Sequence, residues 1–266
     1  NSALREAKRI FEEIINGKKK EFIRKEFGIY SRRLYQTPLL HEIGRYILSR
    51  FKFLLIKSIL FFLNKKPKWE TLFLKTDNWK VFEMRKGIKI KSNKNSFFAD
   101  PNLVKIKNKY FIFLEHFNKR TKKANISCFE ISRDKQSIKK IGYAIKEKYH
   151  LSFPFTFTFR DELFMSVESS ANKTLNIYKN GINPLSWEIV CQHKFNNLIP
   201  VDPIIFKRDE NWWLIFSDLN SINEMYIFHS DDPINGSWKS HSNNPVIISS
   251  EYSRNAGFIS DGKKDS

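Results

Sequence analysis

Apolar residues recur at helical spacing in the first quarter of the chain and lose that spacing after residue 67. Leu4, Ile10, Phe11, Ile14 and Ile15, with Ser2 placed to cap, predict a helix over 2–26 that Gly17 and Lys18-Lys19-Lys20 break or fray. A second start follows, with Thr37 as N-cap, Pro38 in the first turn, and Leu39, Leu40, Ile43, Ile47 and Leu48 on the apolar positions. It continues through residues 51–63, punctuated or flanked by Arg45, Arg50, Lys52, Lys57, Lys65 and Lys66. The longest apolar run, 53–63, is interrupted by Lys57 and Ser58 and falls short of the roughly 20 residues a bilayer span needs. Beyond Pro67 the pattern is short runs of Phe, Ile, Tyr and Trp separated by Lys-Asn, Asp-Glu and Asn-Gly, which are strand and hairpin signals. The division predicted is a basic helical segment over 1–66, the tail of an upstream domain, and a β domain over 67–266.

The β region repeats. One unit opens Ala99-Asp100-Pro101 and returns after a turn at 107–109 through Tyr110-Phe111-Ile112-Phe113-Leu114-Glu115. The next opens Ser152-Phe153-Pro154, turns at 160–162 and ends Ser166-Val167-Glu168. A third opens Val201-Asp202-Pro203, turns at 208–211 and ends Phe216-Ser217-Asp218. A fourth begins at Asn255-Ala256-Gly257 with a turn at Asp261-Gly262. Later strand candidates lie at 124–131, 174–178 and 225–229, giving about four strands per unit at a period near 50. Such a period predicts an all-β, five-bladed propeller, incomplete in this chain and preceded by the α-helical segment. A β-sandwich is the alternative, although its strands need no fixed period.

In a propeller the first strand of each unit lies nearest the axis, and the hairpin brings the second strand back to the same end. Asp100, Glu115, Glu168, Asp202 and Asp218 are then expected on one face, with the third hairpin turn one residue longer to accommodate Asp218. Mutual repulsion would raise some of their pKa values, as acid/base work requires. The plainer alternative is that each Asp before Pro caps a strand turn and each terminal acid is solvated. His116, next to Glu115, and His150, ahead of the Ser-Phe-Pro strand, are expected at the mouth of the same funnel. Of Trp212 and Trp213, one is expected in the core and the other against a sugar ring. Arg254 is a candidate for binding a substrate anion or for pairing with a funnel acid.

Composition narrows the classes. Hydrophobic residues at 41 % with 25 Phe exclude disorder, and two Cys exclude a disulfide scaffold or a Cys-based zinc cage. No close His pair, no Gly-rich phosphate loop and no nucleophile elbow is present, so no metal and no cofactor is expected. The formal charge is +19, and residues 1–67 carry +10 of it, with sixteen Lys/Arg against six Asp/Glu. Lys interspersed with Ile, Asn and Phe is the bland origin of that charge, as in AT-rich genomes. The sharper reading is an anionic membrane touched by residues 45–66. Nucleic acid is not expected, since none of its recognition signatures is present. The first ten residues form no signal peptide and the chain opens without Met, so the expectation is a piece of a longer, cytoplasmic protein, peripheral on the inner face of the membrane.

The ordered set Phe98-Ala99-Asp100-Pro101, His150-Leu151-Ser152-Phe153-Pro154-Phe155, Glu168-Ser169-Ser170, Asp202-Pro203 and Arg254-Asn255-Ala256-Gly257 resembles the N-terminal-type domain of glucosamine inositolphosphorylceramide transferases and their bacterial relatives over about residues 69–266. The resemblance implies a propeller similar to family 43 glycoside hydrolases. Those enzymes carry an Asp base opening blade one and an Asp that tunes pKa opening a later blade, positions that Asp100 and Asp202 match. Where they carry a Glu acid, this chain has Asn255-Ala256-Gly257. Glu168 is the candidate substitute acid, which makes Asp100, Glu168 and Asp202 the catalytic set and Glu115, His116, His150, Asp218 and Arg254 the substrate-binding set. The implied function is hydrolysis or transfer of a glycosyl group on a carbohydrate or glycolipid. The alternative is a non-catalytic glycan- or headgroup-binding propeller attached to a transferase.

Overall fold

The computed structural model describes residues 8–9, 12, 15–16, 38–62, 69–76, 81–134 and 137–257. The helix predicted over 2–26, the N-cap Thr37, the boundary at Lys66-Pro67 and the fourth unit beyond its opening Asn255-Ala256-Gly257 lie largely or wholly outside these residues. Contacts group the chain into two compact units, one within 7–68 and one within 69–266.

The first unit contains α1, Leu40–Phe62. Its start is fixed by Leu39, whose carbonyl accepts from the N–H of Ile43 at 3.0 Å and whose own N–H donates to the Glu42 carboxylate at 2.8 Å. The carboxylate three residues on thus satisfies an N–H that the helix leaves unpaired. Pro38 therefore precedes the helix and does not sit in its first turn. No helix of the described residues is long and apolar enough to cross a membrane.

In the second unit a two-stranded antiparallel pair, β1 (Thr71–Phe73) and β2 (Ile88–Ile90), leads into three antiparallel meanders. The first comprises β3 (Ser96–Ile106), β4 (Lys109–Asn118), β5 (Lys123–Ile131) and β6 (Ile138–Ile145). The second comprises β7 (Ser152–Phe159), β8 (Glu162–Ser169), β9 (Thr174–Asn180) and β10 (Trp187–His193). The third comprises β11 (Pro200–Arg208), β12 (Asn211–Asp218), β13 (Ser221–Ser230) and β14 (Lys239–Ser240), with β15 (Ile247–Ile248) also on β13. Two four-stranded sheets and one five-stranded sheet with their first strands side by side, β3 against β7 and β7 against β11, are propeller blades arranged about an axis.

Alternation along the strands explains why these sheets stack. Phe111 and Phe113 face the second blade and pack with Met165 and Val167, whereas Ile112 and Leu114 face the β1–β2 pair with Ile90 and Phe98. Phe113 and Leu114 are fully buried on opposite faces of one strand. A sheet covered on both sides requires an unbroken apolar run, which is why 110–114 lacks a polar alternate. Between the second and third blades, Phe153, Phe155, Phe157 and Phe164 meet Ile205, Trp212, Leu214 and Phe216. Trp212 is the core tryptophan of its pair. Trp213 packs on His229 on the other face, with ring centroids 5.7 Å apart, and does not line the axial cavity.

Each first strand is interrupted at its X-Pro step. The register slips between Ala99 and Asn102, between Ser152 and Phe155, and between Val201 and Ile204. Proline has no N–H for the ladder, so the strand bulges there. The residue before each proline takes a positive φ: 48° at Asp100, 46° at Phe153 and 51° at Asp202. That conformation costs about 1–3 kcal/mol for a side chain with a Cβ. Its recurrence at three equivalent positions shows a built feature of the blade and not a local accident. The blades are also stitched directly. Asn102 Oδ1 accepts from the N–H of Thr156 at 3.2 Å and from its hydroxyl at 2.6 Å. Asn102→Ala should lower stability by about 1–2 kcal/mol, read as a lower urea midpoint at unchanged slope.

Candidate functional site

The bulges aim the X-Pro residues at the axis, and the hairpins deliver a second set of side chains beside them. Each first hairpin closes through two residues, between Ile106 and Lys109, Phe159 and Glu162, and Arg208 and Asn211. Counting back from those turns, Glu115 lies opposite Ala99, Glu168 opposite Ser152, and Ser217 opposite Val201. The third turn is thus no longer than the others, and the equivalent of Glu115 and Glu168 is Ser217. This corrects the expectation for Asp218: a one-residue offset in a strand turns the side chain to the opposite face. Asp218 is buried and accepts from the N–H of Ile199 at 2.9 Å, tying down the loop that precedes β11. Ser217 donates to the carbonyl of Ser253.

Parity corrects a second expectation. His116 follows Glu115 and so faces away from it. Its ring stacks on Tyr143 at 5.4 Å, its Nδ1 lies 3.0 Å from the Ser127 hydroxyl, and Lys140 Nζ approaches the same nitrogen at 3.1 Å. Burial, with the Lys140 charge adding to it, depresses the His116 pKa to about 4. None of these partners belongs to the axial cluster.

Four carboxylates do come together. Glu115, Glu168 and Asp202 are buried and Asp100 is half-buried. Glu168 Oε2 accepts from the backbone N–H of Asp202 at 3.0 Å, so the acid of the second blade holds the bulge of the third. Burial is the largest influence on Glu115. A hydrogen bond with Asp100 and the charges of Asp100, Glu168 and Asp202 act in the same sense, and the group is pushed up to about 9. Glu115 is therefore the acid of the set that most favours its neutral form, and in that form it can donate to Asp100. Glu168 is raised by burial to about 7, with the Asp202 charge adding, while the Asp202 N–H, the Ser152 hydroxyl and the Arg254 charge oppose the rise. Asp202 is raised by burial, against the pull of Arg254. These neighbours form a coupled set in which protons belong to the cluster more than to one residue.

Two side chains moderate the cluster. Arg254 Nε donates to Asp202 Oδ2 at 2.6 Å, and its Nη2 reaches the same oxygen, while half of the side chain stays open to solvent. Asn255 Nδ2 donates to the carbonyl of Asp202 at 2.7 Å. His150 stands on the other side, its Nε2 3.8 Å from Glu115 Oε1. Its Nδ1 accepts from the N–H of Ala124 at 3.1 Å, so the proton of the neutral ring lies on Nε2, toward Glu115. Burial holds His150 below its ordinary pKa, with Asp100 opposing.

Beside the acids opens a cavity of about 580 Å³, lined by Asp100, Asn102, Leu103, Phe153, Phe155 and Thr156, by the two prolines of the first two bulges, and by Ala256 and Gly257. It is large enough for a monosaccharide or a short oligosaccharide. Its walls combine apolar surface with the polar ends of Asp100, Asn102 and Thr156. Asp100 is the acid of the set that lines the cavity, and an acid there can exchange a proton with a bound hydroxyl or hold it by a hydrogen bond.

Sequence reasoning missed Asn102, Ser152 and Ser217. The count from each turn would have found Ser152 and Ser217, whereas Asn102 acts across a blade boundary that carries no local signal.

Comparison with known proteins places the chain. Over 177 residues it is 30 % identical to glucosamine inositolphosphorylceramide transferase 1 of Arabidopsis thaliana and 29 % identical to that of Oryza sativa subsp. japonica, covering 63 % of this chain and 23 % of each relative. The chain thus spans about a quarter of the length of these relatives. A solved family 43 β-1,3-galactosidase superposes with a TM-score of 0.52 at 16 % identity, over 64 % of this chain and 38 % of that one, which shows a shared fold. The model of the family glucosamine inositolphosphorylceramide transferase 1, N-terminal, matches residues 84–263, three blades and the acidic cluster included, and the chain belongs to that family.

Proposed function

We propose that this domain is a carbohydrate-active propeller that handles a glycosidic bond, by hydrolysis or by transfer, on a surface glycan or glycolipid. The observation that carries the reading is the convergence of Asp100, Glu115, Glu168 and Asp202 from three blades beside one cavity, where burial raises the pKa of the last three. In this reading Asp100 is the base that activates the incoming hydroxyl or water. Glu168, half-protonated near pH 7, is the acid that gives its proton to the leaving oxygen. Asp202, clamped by Arg254, sets the field that keeps that proton on Glu168, and the open edge of Arg254 with His150 binds the sugar or an anionic substituent. The similarity to glucosamine inositolphosphorylceramide transferases supports a glycan or glycolipid substrate.

A second reading has its own support. At the opening of the fourth unit, Arg254 and Asn255 are committed to holding Asp202, so that position serves as a clamp and not as an acid. This favours a glycan- or headgroup-binding module serving an attached transferase. Contact of residues 45–66 with an anionic membrane belongs to both readings and is supported by the four cations of α1. A panel of aryl glycosides and immobilised glycans separates the two. Turnover that disappears in Asp100→Asn supports the enzyme, whereas sugar binding retained by both proteins without turnover supports the module.

A further inference from the structure

α1 carries a pattern that the acidic site does not use. At 100° per residue, Leu40, Ile43, Ile47, Leu48, Phe51, Leu54 and Leu55 occupy one arc of about 140°. All seven side chains are exposed, from 39 % at Ile43 to 87 % at Leu40. Two rows of cations border this arc. Arg45 and Lys52 lie on one flank, and Arg50 and Lys57 on the other, each pair seven residues apart. The second row is organised further. The Arg50 guanidinium lies 5.2 Å from the ring centre of Tyr46, with Nε donating to the Tyr46 hydroxyl at 3.1 Å, and Lys57 Nζ lies 5.9 Å from the ring centre of Phe53. The same aromatic–cation pair, four residues apart, thus occurs twice along one edge.

An apolar face between two cationic edges suits a surface that is oily below and negatively charged at its rim. Aromatic rings favour the headgroup level, and long basic side chains reach from an apolar layer to phosphates. Four cations against the single carboxylate Glu42 give the helix the sign opposite to that of anionic phospholipid. A soluble partner helix would need an acidic border on both sides, and a second copy of α1 would bring like charges together.

We infer that α1 lies in the plane of an anionic bilayer, with the Leu40, Ile47, Phe51 and Leu54 face toward the acyl chains and the two cation rows on lipid phosphates. This specifies how the membrane contact proposed above is made, and it is independent of the sugar chemistry.

The test uses the full chain and vesicles of phosphatidylcholine with or without 30 % phosphatidylserine. Flotation should show binding to the anionic vesicles only, and Arg50→Gln with Lys57→Gln should weaken it about 30-fold, since each cation near the surface contributes a factor of roughly five. Nitroxides placed by Phe51→Cys, Leu54→Cys and Ser49→Cys in a Cys191→Ser background then report depth. Cys128 is buried, its thiol pushed up to about 12, and stays unlabelled. Labels at 51 and 54 shielded from an aqueous relaxant, with the label at 49 accessible, support the in-plane helix. Equal accessibility at all three sites in vesicle-bound protein overturns this geometry while leaving membrane contact standing. Equal binding to neutral vesicles, or no binding with a dimer in solution, overturns both.

Discussion

Between pH 5 and pH 9 the β domain should lose stability, and Glu115→Gln should remove much of that loss. Glu115 has its folded pKa at about 9, against 4.5 for an unperturbed group, so the folded state binds more protons than the unfolded chain throughout this window. Where the native state holds the extra proton, stability falls as pH rises. The stabilisation is fully present below about 4.5 and is gone once pH passes 9. Glu168, at about 7, contributes with the same sign over a narrower window, and Asp202, also raised, contributes with the same sign. Glutamine copies the neutral acid, keeps an N–H donor for Asp100 and cannot ionise. At pH 9 the variant should melt about 4–8 °C above wild type, corresponding to ~2 kcal/mol for a domain of this size, and at pH 5 the two should coincide. Differential scanning fluorimetry across pH reads both. A variant that melts below wild type at pH 9 would show that Glu115 is held as a carboxylate.

The second large effect concerns chemistry. Asp100→Asn should reduce turnover of any glycoside the domain accepts by about 10³-fold, while the melting temperature stays within about 2 °C. Asparagine fits the same bulge and tolerates its φ of 48°. The substitution removes the base and also the negative charge that helps to keep the proton on Glu115, so the Glu115 midpoint should fall. A loss of turnover accompanied by that shift distinguishes removal of a charge from general damage to the fold. Undiminished turnover would remove Asp100 from the mechanism and leave the binding reading of the cavity.

Much of this architecture is legible in the sequence because proline marks the same register in each blade. Pro101, Pro154 and Pro203 each interrupt the ladder where the innermost strand must bulge, so the repeat survives although most other residues differ. The helix α1 is legible for the complementary reason, since a 3.6-residue period needs no partner to be seen. The outer strands β6 and β10 are harder to read. β10 is exposed or half-exposed throughout and Lys139-Lys140 interrupts β6, so neither carries the long buried run of an inner strand.

Among the acids, the length of the hairpin turn decides the face, and a longer third turn is what the choice of Asp218 requires. Asp218 looks like the partner of Glu115 and Glu168, yet the two-residue turn at Asp209-Glu210 assigns that position to Ser217. His116 fails by the same parity, one residue from an acid that faces the axis. The clamp of Arg254 on Asp202 joins residues 52 apart, and the proton on Glu115 depends on burial between sheets, so neither is a property of any local segment.

The gathering of protonated and ionised acids at one axis can be measured without a substrate. A ¹³C NMR titration of chain labelled at the glutamate side-chain carboxyls, with Glu115→Gln and Glu168→Gln as assignments, should show one midpoint near 9 and one near 7. Both groups titrating near 4.5 would contradict the account, because it would place Glu115 and Glu168 in water and apart from Asp100 and Asp202.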